Sequence, residues 1–400
     1  EPQAIGSHSL LLSQSSQWSI TSTVRWFNCR LISCTSPQYR YSNARPIEAS
    51  VSTVRGKAMH TVVQYALWVK QHLQKEEERE NQAARDFDEI PEVWKVLERH
   101  LDPEQDPSLV IRSVYGKCLT DLMNLDSDWI TKNLGRIFPK NQALQELRAA
   151  AWEGYVTSYP ADTHVFTILR EEYSQAIERL GMPTHETQYL SEFDQLLPKH
   201  LIQLYWNGEL ELGAPDLLLE SFFEKAPELY RECFMRNFGW LLSHNQSEVT
   251  PELLERLQRL WEWRIGMIYS SSASAIPTSE LKTFGLWFTS GKFENKWASA
   301  QLMEVLKLSK DVNDDRNVLC YLEKIAFSIP REAIKCLGLI ADGSRAKWLI
   351  YGEQESSRAI LSTSLQSGDE ETRKAAIELI NRLLARNYAD FRNLLPNGVA

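Results

Sequence analysis

Two serines are each followed three residues later by a lysine: Ser279 by Lys282, and Ser344 by Lys347. On a helix that spacing shares one face, where an unprotonated amine activates a hydroxyl for acyl transfer. Two fixed positions recur by chance in a chain of 400 residues, so neither pair is assigned a nucleophile's role. The eight histidines are dispersed. His60 and His164 fall in helix-patterned runs and His185 and His244 in expected loops, with no pair at ligand spacing. The acid pairs Glu171/Glu172 and Glu370/Glu371 suit helix first turns or solvent faces, where they offset the dipole. Cys29 and Cys34 lack the second Cys or His pair that zinc requires. No glycine-rich phosphate loop, dinucleotide fingerprint, HExxH or GxSxG occurs. The expectation is a chain without catalytic, metal or cofactor sites of its own.

Composition narrows the class of molecule. Hydrophobic residues make up 43% of the chain and charged residues 24%, with a formal net charge of −9. A packed core is within reach, and chain-wide binding to phosphates is not, because Lys and Arg are not in excess. Cys118, Cys233, Cys320 and Cys336 lie in apolar helix-like runs, the usage of reduced thiols in a cytoplasmic protein. No apolar run approaches the roughly 18 residues of a membrane span.

Residues 1–45 are rich in Ser, Thr and Arg and nearly free of acids. They read as a loosely attached segment or the remnant of a truncated domain, and their composition also resembles a transit peptide. Within them Trp18, Ile20, Val24 and Trp26 alternate with polar residues, a single strand-like stretch.

From Pro46 onward the pattern is helical, punctuated by Pro, Gly, Asn and Asp at hairpin intervals. In "PSLVIRSVYGKCLTDLM", Ile111, Val114, Tyr115, Cys118 and Leu122 make a core face, with Arg112, Lys117 and Asp121 on the opposite side. "KEEERENQAARDFDEI" reads as a solvated helix end followed by a loop, and further loops are expected at 181–188 and 270–279. Thr250-Pro251-Glu252 is a helix start. In "SGDEETRKAAIELINRLLAR", Ser367 and Glu370 have capping-box spacing, with Arg382 and Arg386 in the last turn.

One element recurs. Arg55, Arg112, Arg148 and Arg373 each open an amphipathic helix and are followed by small or branched apolar residues. The step from Arg112 to Arg148 is close to the ~40 residues of a HEAT or armadillo unit. Asp369 precedes Arg373 by one helical turn. These positions resemble the HEAT repeat, whose second helix opens with an Asp, then Val-Arg, then Ala. The resemblance implies that Arg55, Arg112, Arg148, Asp369 and Arg373 form a polar ladder between neighbouring repeats while the alanines let helices approach. The expected fold is all-α, an elongated array of HEAT-like helical hairpins, an α-solenoid. Residues 46–180 and 311–400 are its HEAT-like parts, and 181–310 is an irregular, aromatic-rich helical region.

A wider likeness runs through "VRGKAMHTVVQYALWV", "LDPEQDPSLVIRSVYGKCLTDLMNLDSDWITKNLGRIFP" and "LSTSLQSGDEETRKAAIELINRLLARNYADFRNLL". These resemble the helical region of large multidomain bacterial proteins of antiviral conflict systems, where it follows a nucleotide-binding or other effector domain. The likeness implies a non-catalytic sensor or scaffold that recognises a protein or nucleic-acid trigger. The alternative is a stand-alone helical-repeat adaptor for other proteins. Of the thirteen tryptophans, Trp68, Trp94, Trp129, Trp152, Trp240 and Trp297 are expected as core ridges between hairpins. Trp206, Trp261 and Trp263 are candidates for a concave interface, since exposed aromatic rings anchor proteins and stack on bases.

Overall fold

The computed structural model describes residues 45–80, 90–158, 160–180, 196–244, 249–270, 278–388 and 391–395, with the backbone alone over 73–80. Among the described residues every regular element is helical. In chain order these are α1 (Pro46–Ser52), α2 (Val54–Glu80), α3 (Pro91–Leu101), α4 (Leu109–Lys117), α5 (Leu119–Leu125), α6 (Ser127–Ile137), α7 (Gln145–Val156), α8 (Thr163–Ile168), α9 (Arg170–Leu180) and α10 (Leu196–Asn207). They continue with α11 (Leu218–Lys225), α12 (Glu228–His244), α13 (Pro251–Ser270), α14 (Thr278–Lys282), α15 (Phe284–Thr289) and α16 (Asn295–Ser309). The last are α17 (Asp315–Ala326), α18 (Pro330–Ala341), α19 (Ala346–Gly352), α20 (Gln354–Leu365) and α21 (Glu370–Ala385). The strand-like stretch at 18–26 and the loop at 181–188 lie outside the described residues.

Local chemistry sets the starts of many of these helices. Proline occupies the first position of α1, α3, α13 and α18, where its missing N–H costs nothing. Side-chain oxygens of Ser108, Asp126, Asp162 and Glu294 accept from the first turns of α4, α6, α8 and α16. At α21 the cap is Asp369, which accepts from the backbone N–H groups of Glu371 and Thr372. Ser367, expected in that role, instead accepts from the Asp369 N–H one step outside the helix.

The described residues fall into two compact units, the first lying within the bounds Glu1–Tyr173 and Tyr189–Gln203 and the second within Ser174–Gln188 and Leu204–Ala400. In the first, α4 and α7 pack so closely that two glycines are required. A Cβ on Gly116 would stand 1.8 Å from the Ala151 carbonyl oxygen, and one on Gly154 would stand 2.0 Å from that of Ser113. With Ala150 and Ala151 also buried, the two backbones themselves are in contact. The expected solvent face of α4 is therefore absent: Arg112 is buried, as are all residues from Ile111 to Gly116. Helix α4 also ends at Lys117, so Cys118 marks a break before α5 instead of lying within one long helix.

The second unit has an aromatic core. Phe222, Phe234, Phe238, Trp261, Phe284 and Trp287 are all nearly inaccessible, and the pairs Phe222–Phe234, Phe234–Phe238, Phe238–Trp287, Trp287–Trp261 and Trp261–Phe284 meet edge-on or tilted with ring centroids 4.5 to 6.0 Å apart. Such geometry aligns ring edges with ring faces and adds to the area buried. Two tryptophans expected in the core are on the surface: Trp68 and Trp94 are 55% and 42% exposed. The cause at Trp68 is that α2 buries a different stripe, Gly56, Met59, Val63 and Ala66.

Candidate functional site

The recurrent arginines occupy different environments. Arg112 is buried without a carboxylate and donates to the carbonyls of Leu101, at 2.8 Å, and Arg136, in the last turns of α3 and α6. Those carbonyls have no partner within their own helices, so one guanidinium satisfies two helix ends. Arg148 forms a two-pronged pair with Glu172 of α9, at 2.8 and 2.5 Å, with both side chains about nine-tenths buried. Arg55 is exposed and reaches the buried Asp106 at 2.6 Å. Arg373 donates to the Ser367 carbonyl ahead of its own helix, and Asp369 serves as that helix's cap. Contact between α18 and α21 is carried by Arg382 and Arg386, both on Asp342 at 3.1 and 2.8 Å.

Two polar clusters bring chemically capable side chains together. His60 lies between Ser50, 3.3 Å from Nε2, and Cys118, 3.6 Å from Nδ1. Ser50 donates its own proton to the Ile47 carbonyl, so it accepts from His60 Nε2–H, and Nδ1 accepts the thiol proton. In that tautomer the serine has no base. Burial pushes the Cys118 thiol up to about 12, far from a reactive thiolate. Burial also lowers the His60 pKa, with the Lys117 charge adding to it.

The second cluster is a buried chain. Tyr155 Oη meets Tyr173 Oη at 3.0 Å, and Tyr173 Oη meets His200 Nδ1 at 2.8 Å. His200 Nε2 donates to the Ser158 carbonyl at 3.0 Å, which makes Nδ1 the acceptor and orients both phenols toward it. Burial lowers the His200 pKa to about 4 and raises both tyrosines. The imidazole is neutral at physiological pH and serves to tie α7, α9 and α10 together. Sequence spacing gave no hint of His200, because its partners lie on two other helices.

The tryptophans proposed for an interface are not equivalent. Trp261 is only 1% exposed, packed between Phe284 and Trp287, and is unavailable to a partner: α13 turns it inward with Leu257, Leu260 and Ile265. Trp206 and Trp263 are half-buried, stacked on Phe238 and edge-on to Phe223.

Helix α19 presents rings to solvent. Ala346, Leu349 and Ile350 anchor it, leaving Lys347, Trp348 and Tyr351 on the outer face. Trp348 is 60% exposed and Tyr351 50%. The Arg345 guanidinium lies 5.0 Å from the Trp348 ring centroid and is steadied by Asp315 at 3.1 Å. Tyr351 Oη donates to the Asn387 carbonyl at 2.6 Å, which fixes its ring. Ser344 donates to Asp311 and so is engaged away from Lys347. Together Ser344, Arg345, Lys347, Trp348, Tyr351 and Gly352 line a shallow, open depression. Its sequence, "GSRAKWLIYG", places two cations just ahead of two aromatic residues, a pattern that does not by itself say which rings face water.

Among the described residues no group of three or more His, Cys, Asp or Glu side chains could hold a metal ion, and no helix is long and apolar enough to cross a membrane. Comparison of the chain with protein-family models, with curated proteins and with solved structures gave no match in any of the three.

Proposed function

We propose that this chain is a non-catalytic, HEAT-like helical sensor or scaffold region of a larger bacterial defence protein, and that α19 forms part of its recognition surface. The observation that supports recognition is the pair of exposed rings, Trp348 and Tyr351, beside Arg345 and Lys347. An exposed indole beside an arginine steadied by Asp315 and an exposed lysine suits single-stranded nucleic acid: bases stack on the rings and phosphates meet the cations. The HEAT-like arrangement draws support from Arg112 and Arg148, each linking helix α4 or α7 to neighbouring helices. Placement within a defence protein rests on the likeness quoted from the sequence.

The test is fluorescence anisotropy of a labelled oligothymidylate titrated with the full chain. Saturable binding is expected, weakened about tenfold by Trp348→Ala, as loss of one stacked base implies. Absence of binding, or binding indifferent to both Trp348→Ala and Lys347→Ala, overturns the nucleic-acid reading. Binding of polyglutamate in place of the oligonucleotide reassigns the surface to acidic proteins. Hydrolysis of nucleotide or NAD by the purified chain, abolished by a point substitution within it, overturns the non-catalytic reading.

A further inference from the structure

Helix α2 has two opposite stripes with the same spacing. Gly56, Met59, Val63 and Ala66 recur at alternating steps of three and four residues and are buried. Val54, Ala58, Thr61, Tyr65, Trp68 and His72 recur at alternating steps of four and three on the other side, and every one is exposed. None of the six is an acid, a lysine or an arginine. Val54 is 87% exposed, an unusual position for a branched aliphatic side chain on a solvent face. A surface helix that needs only one core contact carries charged and polar residues on its outer side, whereas a three-four repeat that is uncharged and mostly apolar, with only Thr61 and His72 polar, is a seam that a second helix fills. From Val54 to His72 this seam is about 28 Å long.

The order of side-chain sizes along the seam selects its occupant. Small residues come first, Ala58 and Thr61, and large rings follow, Tyr65 and Trp68. An identical helix laid antiparallel about a two-fold axis beside Val63 pairs Ala58 with Trp68, Thr61 with Tyr65 and Val54 with His72. Each large ring then meets a small residue. The residues flanking the seam also agree: Arg55 faces Val69, Lys57 faces Gln71, and Val62 and Gln64 each face their own copies, so no like charges meet. A parallel pair would stack Trp68 on Trp68 and leave a gap at Ala58. The rings are also ordered in advance, Tyr65 against Trp68 with centroids 6.5 Å apart and Trp68 against His72 at 4.1 Å. Tyr65 Oη donates to Glu92 at 3.3 Å, and Arg55 is held by Asp106, so neither must be reorganised on contact.

We propose that the exposed stripe of α2 is a self-association surface, through which two copies of this chain pair antiparallel in an isologous contact. This proposal is independent of the α19 surface. Sedimentation velocity of the full chain over a concentration series tests it. The wild type is expected to dimerise. Ala58→Trp sets two indoles against each other, and Trp68→Ala leaves a gap at each end of the seam. Either change alone is expected to weaken the dimer at least tenfold, with unchanged circular dichroism because both positions face solvent. The double variant, Ala58→Trp with Trp68→Ala, exchanges large for small across the axis and is expected to restore the dimer. A monomeric wild type, or a dimer indifferent to both single changes, overturns the proposal. Single variants that dissociate with a double variant that fails to recover overturn the antiparallel register.

Discussion

His200 is a buried residue whose shifted titration falls within the pH range of an ordinary unfolding experiment. Burial lowers its pKa from the ordinary 6.5 to about 4, so below 6.5 the unfolded chain takes up a proton that the folded chain refuses. Its contribution to stability is complete above pH 6.5, falls as pH drops toward 4, and changes no further below that. The span corresponds to about 3 kcal/mol. Urea melts between pH 4 and 7 should show this loss in the wild type and a shallower dependence in His200→Gln. The Arg148–Glu172 pair makes a second prediction at this scale. Glu172→Ala leaves the buried Arg148 guanidinium with only the half-exposed Glu171 carboxylate, 3.7 Å away, and should destabilise by up to about 3 kcal/mol, read by thermal melting. Arg55→Ala removes a half-exposed partner and should lower stability by far less.

At the scale of elements, the contact between α4 and α7 is the least tolerant of added volume. Gly116→Ala and Gly154→Ala each place a methyl group inside the van der Waals radius of a carbonyl oxygen, and backbone atoms cannot rotate away as side chains do. Each should destabilise by at least about 1–3 kcal/mol. Gly135→Ala, on a helix position with nothing within 4 Å, should be neutral or slightly stabilising in the same melts. That contrast also shows what was legible in the sequence. Helical periodicity, proline at first positions and cap residues such as Asp126 and Asp369 are local signals, and they place the helices. Which face a helix buries depends on how many neighbours it has. The helical pattern sets Arg112 on the solvent side of α4, yet α1, α2 and α7 pack on that helix while α3 and α6 close over Arg112, and the guanidinium is retained because two helix ends need its donors. Trp261 and Trp348 both lie in aromatic runs punctuated by charge, and single-sequence pattern does not distinguish the one packed inside the second unit from the one facing water.

At the scale of the whole molecule, charge and recognition pull in opposite directions. A formal charge of −9 repels a polyanion at long range. Attraction at α19 must come from close contacts by Lys347 and Arg345, and Arg345 is already shared with Asp315. Two such contacts release about two counterions, so the logarithm of oligothymidylate affinity should fall against the logarithm of salt concentration with a slope of about −1.4. Between 50 and 200 mM salt that is a loss of about sevenfold. Lys347→Ala should reduce the slope by about 0.7, while Trp348→Ala should weaken binding and leave the slope unchanged, because stacking releases no counterions. Anisotropy titrations at four salt concentrations separate these effects. A wild-type slope much steeper than −1.4, unaltered by Lys347→Ala, would place the phosphate contacts on cations elsewhere in the chain and remove α19 from the recognition surface.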